Sequence, residues 1–171
     1  MKKIAYLITF LLTTNVFAFV LDPVLGFAPG YFEGEGRYMT SEGFYEEYPA
    51  FVEVQPFYWV SGASMLHRDQ SFEWYFTLVD NDKFEVRLIM HDHVVTNNIK
   101  DVGETFFGEG YCVANQCDIH VDIEDGFVEE RITFYPEGIN KIGILHFLDE
   151  NGYERFINWE ENLDFYDITS L

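Results

Sequence analysis

The residues whose types and spacing could carry chemistry are two histidines, two glycine motifs, some paired carboxylates and two cysteines. In an extended strand His91 and His93, either side of Asp92, project from one face and could grip one ion. His120, His146 or a carboxylate would supply the third ligand. The same spacing also fits two exposed histidines at a strand end, so the pattern leaves a metal open. Gly34-Glu35-Gly36 and Gly108-Glu109-Gly110 both sit among aromatics. A phosphate-cradling loop needs such glycines between a strand and a helix whose N–H groups face the anion. Here they run into strand-like text, Arg37-Tyr38-Met39 and Tyr111-Cys112, and each motif carries a carboxylate that repels phosphate. Gly34, Gly36, Gly108 and Gly110 are therefore expected to bend strands, or to leave room for a neighbouring ring over the backbone.

Glu46-Glu47, Glu129-Glu130 and Glu160-Glu161 have the residue types of a glycosidase pair, but thirty acidic residues make adjacent carboxylates common. The sequence offers no nucleophile elbow, and no nucleophile, base and oxyanion donors can be assembled from it. No catalytic residue and no enzymatic activity are expected. The acidic turns at 80–82 and 149–151 lack the length of a calcium loop. Cys112 and Cys117 stand in YCVANQC. If Val113 to Gln116 form a hairpin loop, the cysteines lie opposite each other at a separation that suits a bridge. A zinc set would need further thiolates or histidines nearby. A structural disulfide is expected.

These residues need strands to hold them. Phe72, Trp74, Phe76 and Leu78 alternate with Glu73, Tyr75 and Thr77. Phe84, Val86, Leu88 and Met90 oppose Lys83, Glu85 and Arg87, and Ile119, Val121 and Ile123 oppose Asp118, His120 and Asp122. Such alternation marks antiparallel strands with one buried and one wet face. Strands are expected near 31–39, 50–55, 57–62, 71–79, 83–92, 105–113, 117–124, 127–135, 139–148 and 153–160. The strongest turn signals between them are Asp125-Gly126 and Asn151-Gly152. The stretch from His93 to Gly103 reads equally as a strand end, a loop or a helical turn. The fold expected is all-β: a single antiparallel up-and-down barrel of about 8–10 strands, with a β-sandwich as the alternative. The recurring Gly-Glu-Gly, and the likeness of LVDNDKF at 78–84 to FLDENGY at 147–153, fit either a five-strand duplication or hairpin chemistry that recurs.

Three domains of sequence follow. Residues 1–18 have the basic start, apolar run and Val16-Phe17-Ala18 ending of a signal peptide cleaved after Ala18. Residues 19–30 form a lead-in punctuated by Pro and Gly, whose apolar side chains could cap a barrel end or cover a sheet edge. Residues 31–171 form the barrel domain. Export to the periplasm or the exterior is expected, with no stable membrane insertion after cleavage. The chain has 18 Phe, 11 Tyr and 3 Trp, and its formal charge is −20. The leader holds two of the ten basic residues and none of the acidic ones. Such a field repels nucleic acid and attracts basic proteins. It also serves solubility.

GYFEGEGRY, residues 30–38, resembles the first strand of calycin-type barrels, and is most similar to the nitrobindin-like branch. There a Gly-x-Trp precedes the Gly-x-Gly, whereas here Tyr31-Phe32 stand where the Trp falls. The resemblance implies an antiparallel barrel enclosing a small apolar ligand, with haem held by a histidine in one branch. None of the five histidines takes that role, so haem is not carried over. Neither a cofactor nor a bound metal is assigned. Two functions follow: an exported, non-enzymatic binding protein holding a small apolar or amphipathic ligand, or an acidic interaction module that docks a basic protein, such as an inhibitor of a basic secreted hydrolase.

Overall fold

In the computed structural model, residues 30–55, 57–65, 68–80, 82–93 and 103–166 are described. Residues 1–29, which hold the expected signal peptide and most of the lead-in, and the segments 94–102 and 167–171 lie outside them. Alternation is realised as ten strands: β1 (Gly30–Thr40), β2 (Tyr45–Gln55), β3 (Tyr58–Met65), β4 (Arg68–Leu78), β5 (Lys83–His93), β6 (Glu104–Val113), β7 (Gln116–Ile123), β8 (Gly126–Phe134), β9 (Gly138–Leu148) and β10 (Glu154–Tyr166). Each pairs antiparallel with its sequence neighbours. The β1–β10 ladder, from Tyr31↔Tyr166 to Thr40↔Ile157, closes the sheet. The fold is thus an up-and-down barrel and not a sandwich, and closure removes the edge that an open sheet would expose.

Four strands run further than the sequence pattern indicates, β3 and β4 by three residues each towards their shared turn and β2 and β10 by more. β2 begins at Tyr45 and passes through Pro49. Pro49 lies opposite Glu35 and one residue outside the β2–β3 ladder, which ends at Ala50↔Ala63. That position resembles a sheet edge, where a residue without an N–H is tolerated. β10 continues to Tyr166 because its last residues complete the closing ladder with β1.

The apolar face of each strand points inward. Phe32, Val52, Val54, Trp59, Trp74, Phe76, Phe84, Leu88, Val121, Ile132, Phe134 and Leu163 are all buried. Towards the end where β1 starts and β10 finishes, rings fill the interior: Trp59 lies 4.7 Å from Phe76 and 5.8 Å from Phe134, and Phe32 lies 5.4 Å from Phe165, centroid to centroid. The Trp74 indole N–H donates to Ser61 Oγ at 3.0 Å, whereas that of buried Trp59 has no partner.

The turns use the expected residues in partly unexpected ways. Gly152 takes φ +77°, and the Asp149 carboxylate accepts from the N–H groups of Asn151 and Tyr153 at 2.9 and 3.0 Å. Gly126, read as a turn glycine, is the first residue of β8 and pairs with Ile123, so the turn itself is Glu124-Asp125. A side chain at 126 would collide with the backbone carbonyl of His146 on β9. Close approach between strands, and not turn geometry, requires that glycine.

Candidate functional site

The two Gly-Glu-Gly motifs lie in β1 and β6, and their three residues divide between the two faces of the barrel. Gly34 and Gly108 are each approached by a backbone carbonyl, from Asn162 and His120 respectively, that a Cβ would strike. Gly36 and Gly110 are each covered by a ring from the directly opposite residue. A Cβ there would lie 2.5 Å from ring carbons of Tyr48 and Phe84. Room for a covering ring is thus used at Gly36 and Gly110, and close approach of a neighbouring strand's backbone at Gly34 and Gly108. The covering ring comes from the following strand at Gly36 but from the preceding strand at Gly110. A five-strand repeat would have kept the same neighbour.

Glu35 and Glu109 point outward, each onto a concave part of the outer wall. One concavity, about 820 Å³, has backbone at Gly110 and Gly143 in its lining, with Tyr111 and Ile142 beside Glu85, Glu109, Asp118 and Glu129, and with Lys83 and Arg131 among them. The other, about 830 Å³, combines Tyr31, Pro49 and Phe51 with Glu33, Glu35 and Glu47. The outer basic groups are largely engaged already. Arg37 pairs with Glu160, Arg131 with Asp118 at 2.6 Å, and Arg155 with both Asp149 and Glu42. Burial pushes the Asp118 carboxyl up, but hydrogen bonds from Arg131, Tyr111 and Gln116, with the Arg131 charge, outweigh it and hold Asp118 below the usual carboxylate range.

A second constellation lies inside the barrel, and sequence reasoning missed it. Lys141 on β9, almost fully buried, places Nζ 2.8 Å from Glu130 Oε1 on β8 and 2.9 Å from Glu161 Oε2 on β10. The Tyr48 hydroxyl donates to Glu161 Oε1 at 3.0 Å. Tyr48 reaches that carboxylate by lying over Gly36, which the register sets opposite both residues. A similar device operates at Gly143, which stands opposite Glu130 and Trp159 and would collide with the Trp159 ring if it carried a side chain. Trp159 lies close enough to Glu130 to favour its charged form, yet Glu130 Oε2 makes no well-formed hydrogen bond and is buried without a partner. Burial pushes the Glu130 carboxyl above its usual range, against the pull of Lys141. Burial would lower the Lys141 ammonium, but the two carboxylates outweigh it and raise its pKa. The Tyr48 hydroxyl is raised strongly, first by burial and then by Glu161.

The signal for this cluster was present in the text. Val128, Glu130, Ile132 and Phe134 share one face, as do Ile139, Lys141 and Gly143, and Trp159, Glu161 and Leu163. Three consecutive strands thus each carry one charge on an apolar face. The adjacent carboxylates split accordingly: Glu130 and Glu161 point inward, while Glu129 and Glu160 point outward. None of these sequence-adjacent pairs keeps both members on one face.

The remaining expected residues are scattered. His91 is on the outer wall, its Nε2 2.8 Å from Glu73 Oε1, and Glu73 also accepts from the hydroxyls of Tyr75 and Tyr58 at 2.7 and 3.2 Å. These bonds, with that of Tyr75 foremost, hold the Glu73 carboxyl below its usual range. The backbone of His93 pairs with Asp69, but its side chain lies outside the described residues. His120 and His146 stack on opposite sides of Phe127, at 5.5 and 5.1 Å, on β7 to β9. They are not brought to His91. Among the described residues no group of three or more His, Cys, Asp and Glu could hold a metal. Cys112 and Cys117 do form the disulfide, from opposed positions on β6 and β7 with Cα atoms 4.1 Å apart.

Fold and site together define a closed ten-stranded antiparallel barrel with a ring-filled apolar interior, a buried ion cluster and an acidic outer wall. The chain matches no protein-family model, no curated protein and no solved structure at a significant level.

Proposed function

We propose that this protein is an exported, non-enzymatic interaction module whose acidic outer wall docks a basic protein. The observation that carries this reading is the division of labour in Gly-Glu-Gly. The glycines serve the barrel, while Glu35 and Glu109 stand on outer concavities whose apolar linings are bordered by further carboxylates. A basic polypeptide meets such a surface with both charge and apolar contact, and its encounter rate depends steeply on salt. The outer wall intersperses exposed rings such as Phe107, Tyr111 and Tyr153 with charges such as Glu85, Glu109 and Glu129, and so lacks the continuous apolar band of a barrel that faces lipid, which supports a protein working in water.

Enclosure of a small apolar ligand, which the calycin resemblance at residues 30–38 implies, is the weaker reading. Trp59, Phe76, Phe84 and Phe134 pack inward at one end, and the Glu130–Lys141–Glu161 cluster lies further in, which speaks against a wide apolar cavity. A secreted basic hydrolase such as a lysozyme serves as the test partner. Association at low ionic strength that inhibits the hydrolase, weakens with added salt and is lost in Glu85→Lys/Glu109→Lys is the expected result. Absence of association at low salt, or association indifferent to both salt and these substitutions, would overturn it. Uptake of a hydrophobic dye by the native barrel would instead restore the small-ligand reading.

A further inference from the structure

Glu130 and Glu161 share one cation. If both carboxylates were ionised beside Lys141, the apolar interior would hold a net negative charge, which is costly because a buried ion needs its own partner. The two carboxylates are not equivalent. Glu161 is bonded through both oxygens, to Lys141 and to the Tyr48 hydroxyl. Glu130 is bonded to Lys141 through Oε1, and its buried Oε2 has no well-formed hydrogen bond, with only the Trp159 side chain near the carboxyl. A protonated Oε2 removes the surplus charge while leaving the Glu130 Oε1–Lys141 contact in place.

We propose that Glu130 is a proton-binding site built into the barrel, holding one proton at neutral pH so that Lys141 and Glu161 remain as a balanced buried pair. The charged and titratable groups facing it are Lys141 on β9, Glu161 on β10, Tyr48 on β2 and Tyr38 on β1, whose hydroxyl bonds Glu46 at 2.9 Å nearer the far end. The inward positions beside it on β7, Ile119 and Val121, are apolar. None of these groups supplies a second cation. The upward displacement of the Glu130 carboxyl by burial agrees with this placement.

The sign follows from linkage. A carboxyl whose folded value lies above its unfolded value contributes stability that is fully present below the unfolded value, near 4.5, and that is lost as pH rises through the folded one. Between the two values unfolding releases a proton from Glu130, and the unfolding equilibrium constant of the wild type rises about tenfold per pH unit relative to Glu130→Gln. Below the unfolded value the ratio between the two proteins is flat.

The test is infrared spectroscopy of the intact protein at neutral pH, joined to urea unfolding across a pH series. The wild type should show the carbonyl stretch of a protonated carboxylic acid. That band should vanish in Glu130→Gln and persist in Glu161→Gln. A wild type without the band overturns the proposal, as does a band that survives in Glu130→Gln or disappears in Glu161→Gln alone. Parallel pH dependences of stability in wild type and Glu130→Gln also overturn it. If Glu130→Gln does not fold, the wild-type band and the proton released on wild-type unfolding decide the matter without it.

Discussion

Replacing Lys141 by Met keeps a long apolar stem in the barrel and removes only the ammonium. At 2.9 Å from the Glu161 carboxylate, the ammonium makes a direct attraction of about 6 kcal/mol at an effective dielectric of about 20, and it also bonds Glu130 Oε1 at 2.8 Å. Much of this offsets the cost of dehydrating the two ions. Breaking a buried pair by deleting one partner costs about 3–5 kcal/mol, because the other charge stays behind unpaired. That is a large share of the roughly 5–15 kcal/mol by which domains are stable. With a urea slope of about 2 kcal/mol per molar, the unfolding midpoint of Lys141→Met should fall by about 2 M, followed through tryptophan emission. The orphaned Glu161 carboxylate can escape by protonating, so the loss should be larger at about pH 8 than at about pH 5. A midpoint within about 0.3 M of wild type at the higher pH, or a loss identical at both, would refute the reasoning. In that case water or relaxation would be compensating the carboxylate.

Three further outcomes follow from the same geometry. Gly36→Ala places a methyl 2.5 Å from the Tyr48 ring and should cost about 1–3 kcal/mol of overpacking in thermal unfolding. Gly34→Ala meets backbone and should be worse, so equal tolerance of both would contradict the assigned roles. Joint replacement of Cys112 and Cys117 by Ala opens a loop of sequence separation 5 and should cost about 2 kcal/mol by chain entropy; a loss above about 4 kcal/mol would mean that the bridge organises more than its hairpin. The Asp149 carboxyl is held below its ordinary 3.8, first by the Tyr153 N–H. Its contribution is present above that value and lost as pH falls through the lower folded one. Amide exchange at Asn151 and Tyr153, corrected for intrinsic rates, should therefore accelerate in strong acid, and unchanged protection there would count against the Asp149 cap.

Much of the fold was legible because strand periodicity is local. The alternation of Phe72, Trp74 and Phe76, or of Phe84, Val86 and Leu88, marks the inner face without reference to any neighbour. Ten such segments with short turns leave few ways to bury their faces other than closure. The disulfide was legible for the same reason, since the spacing of Cys112 and Cys117 already implied opposed positions in one hairpin. The extension of β2 across Pro49 was not, because whether a proline is tolerated depends on where the β2–β3 ladder stops. Gly126 was misplaced by one residue because its requirement comes from β9, twenty residues further along.

The sequence by itself determined which side of each strand every residue would take, and so that Glu35 and Glu109 would face out while their glycines faced in. It also placed Glu130, Lys141 and Glu161 on apolar faces. Only the tertiary structure decided that these three charges meet. Their contact depends on the stagger between β8, β9 and β10, and in a closed barrel that stagger is set jointly by all ten strands. A shift of two residues in one ladder would preserve every inward face and still take Lys141 away from its carboxylates.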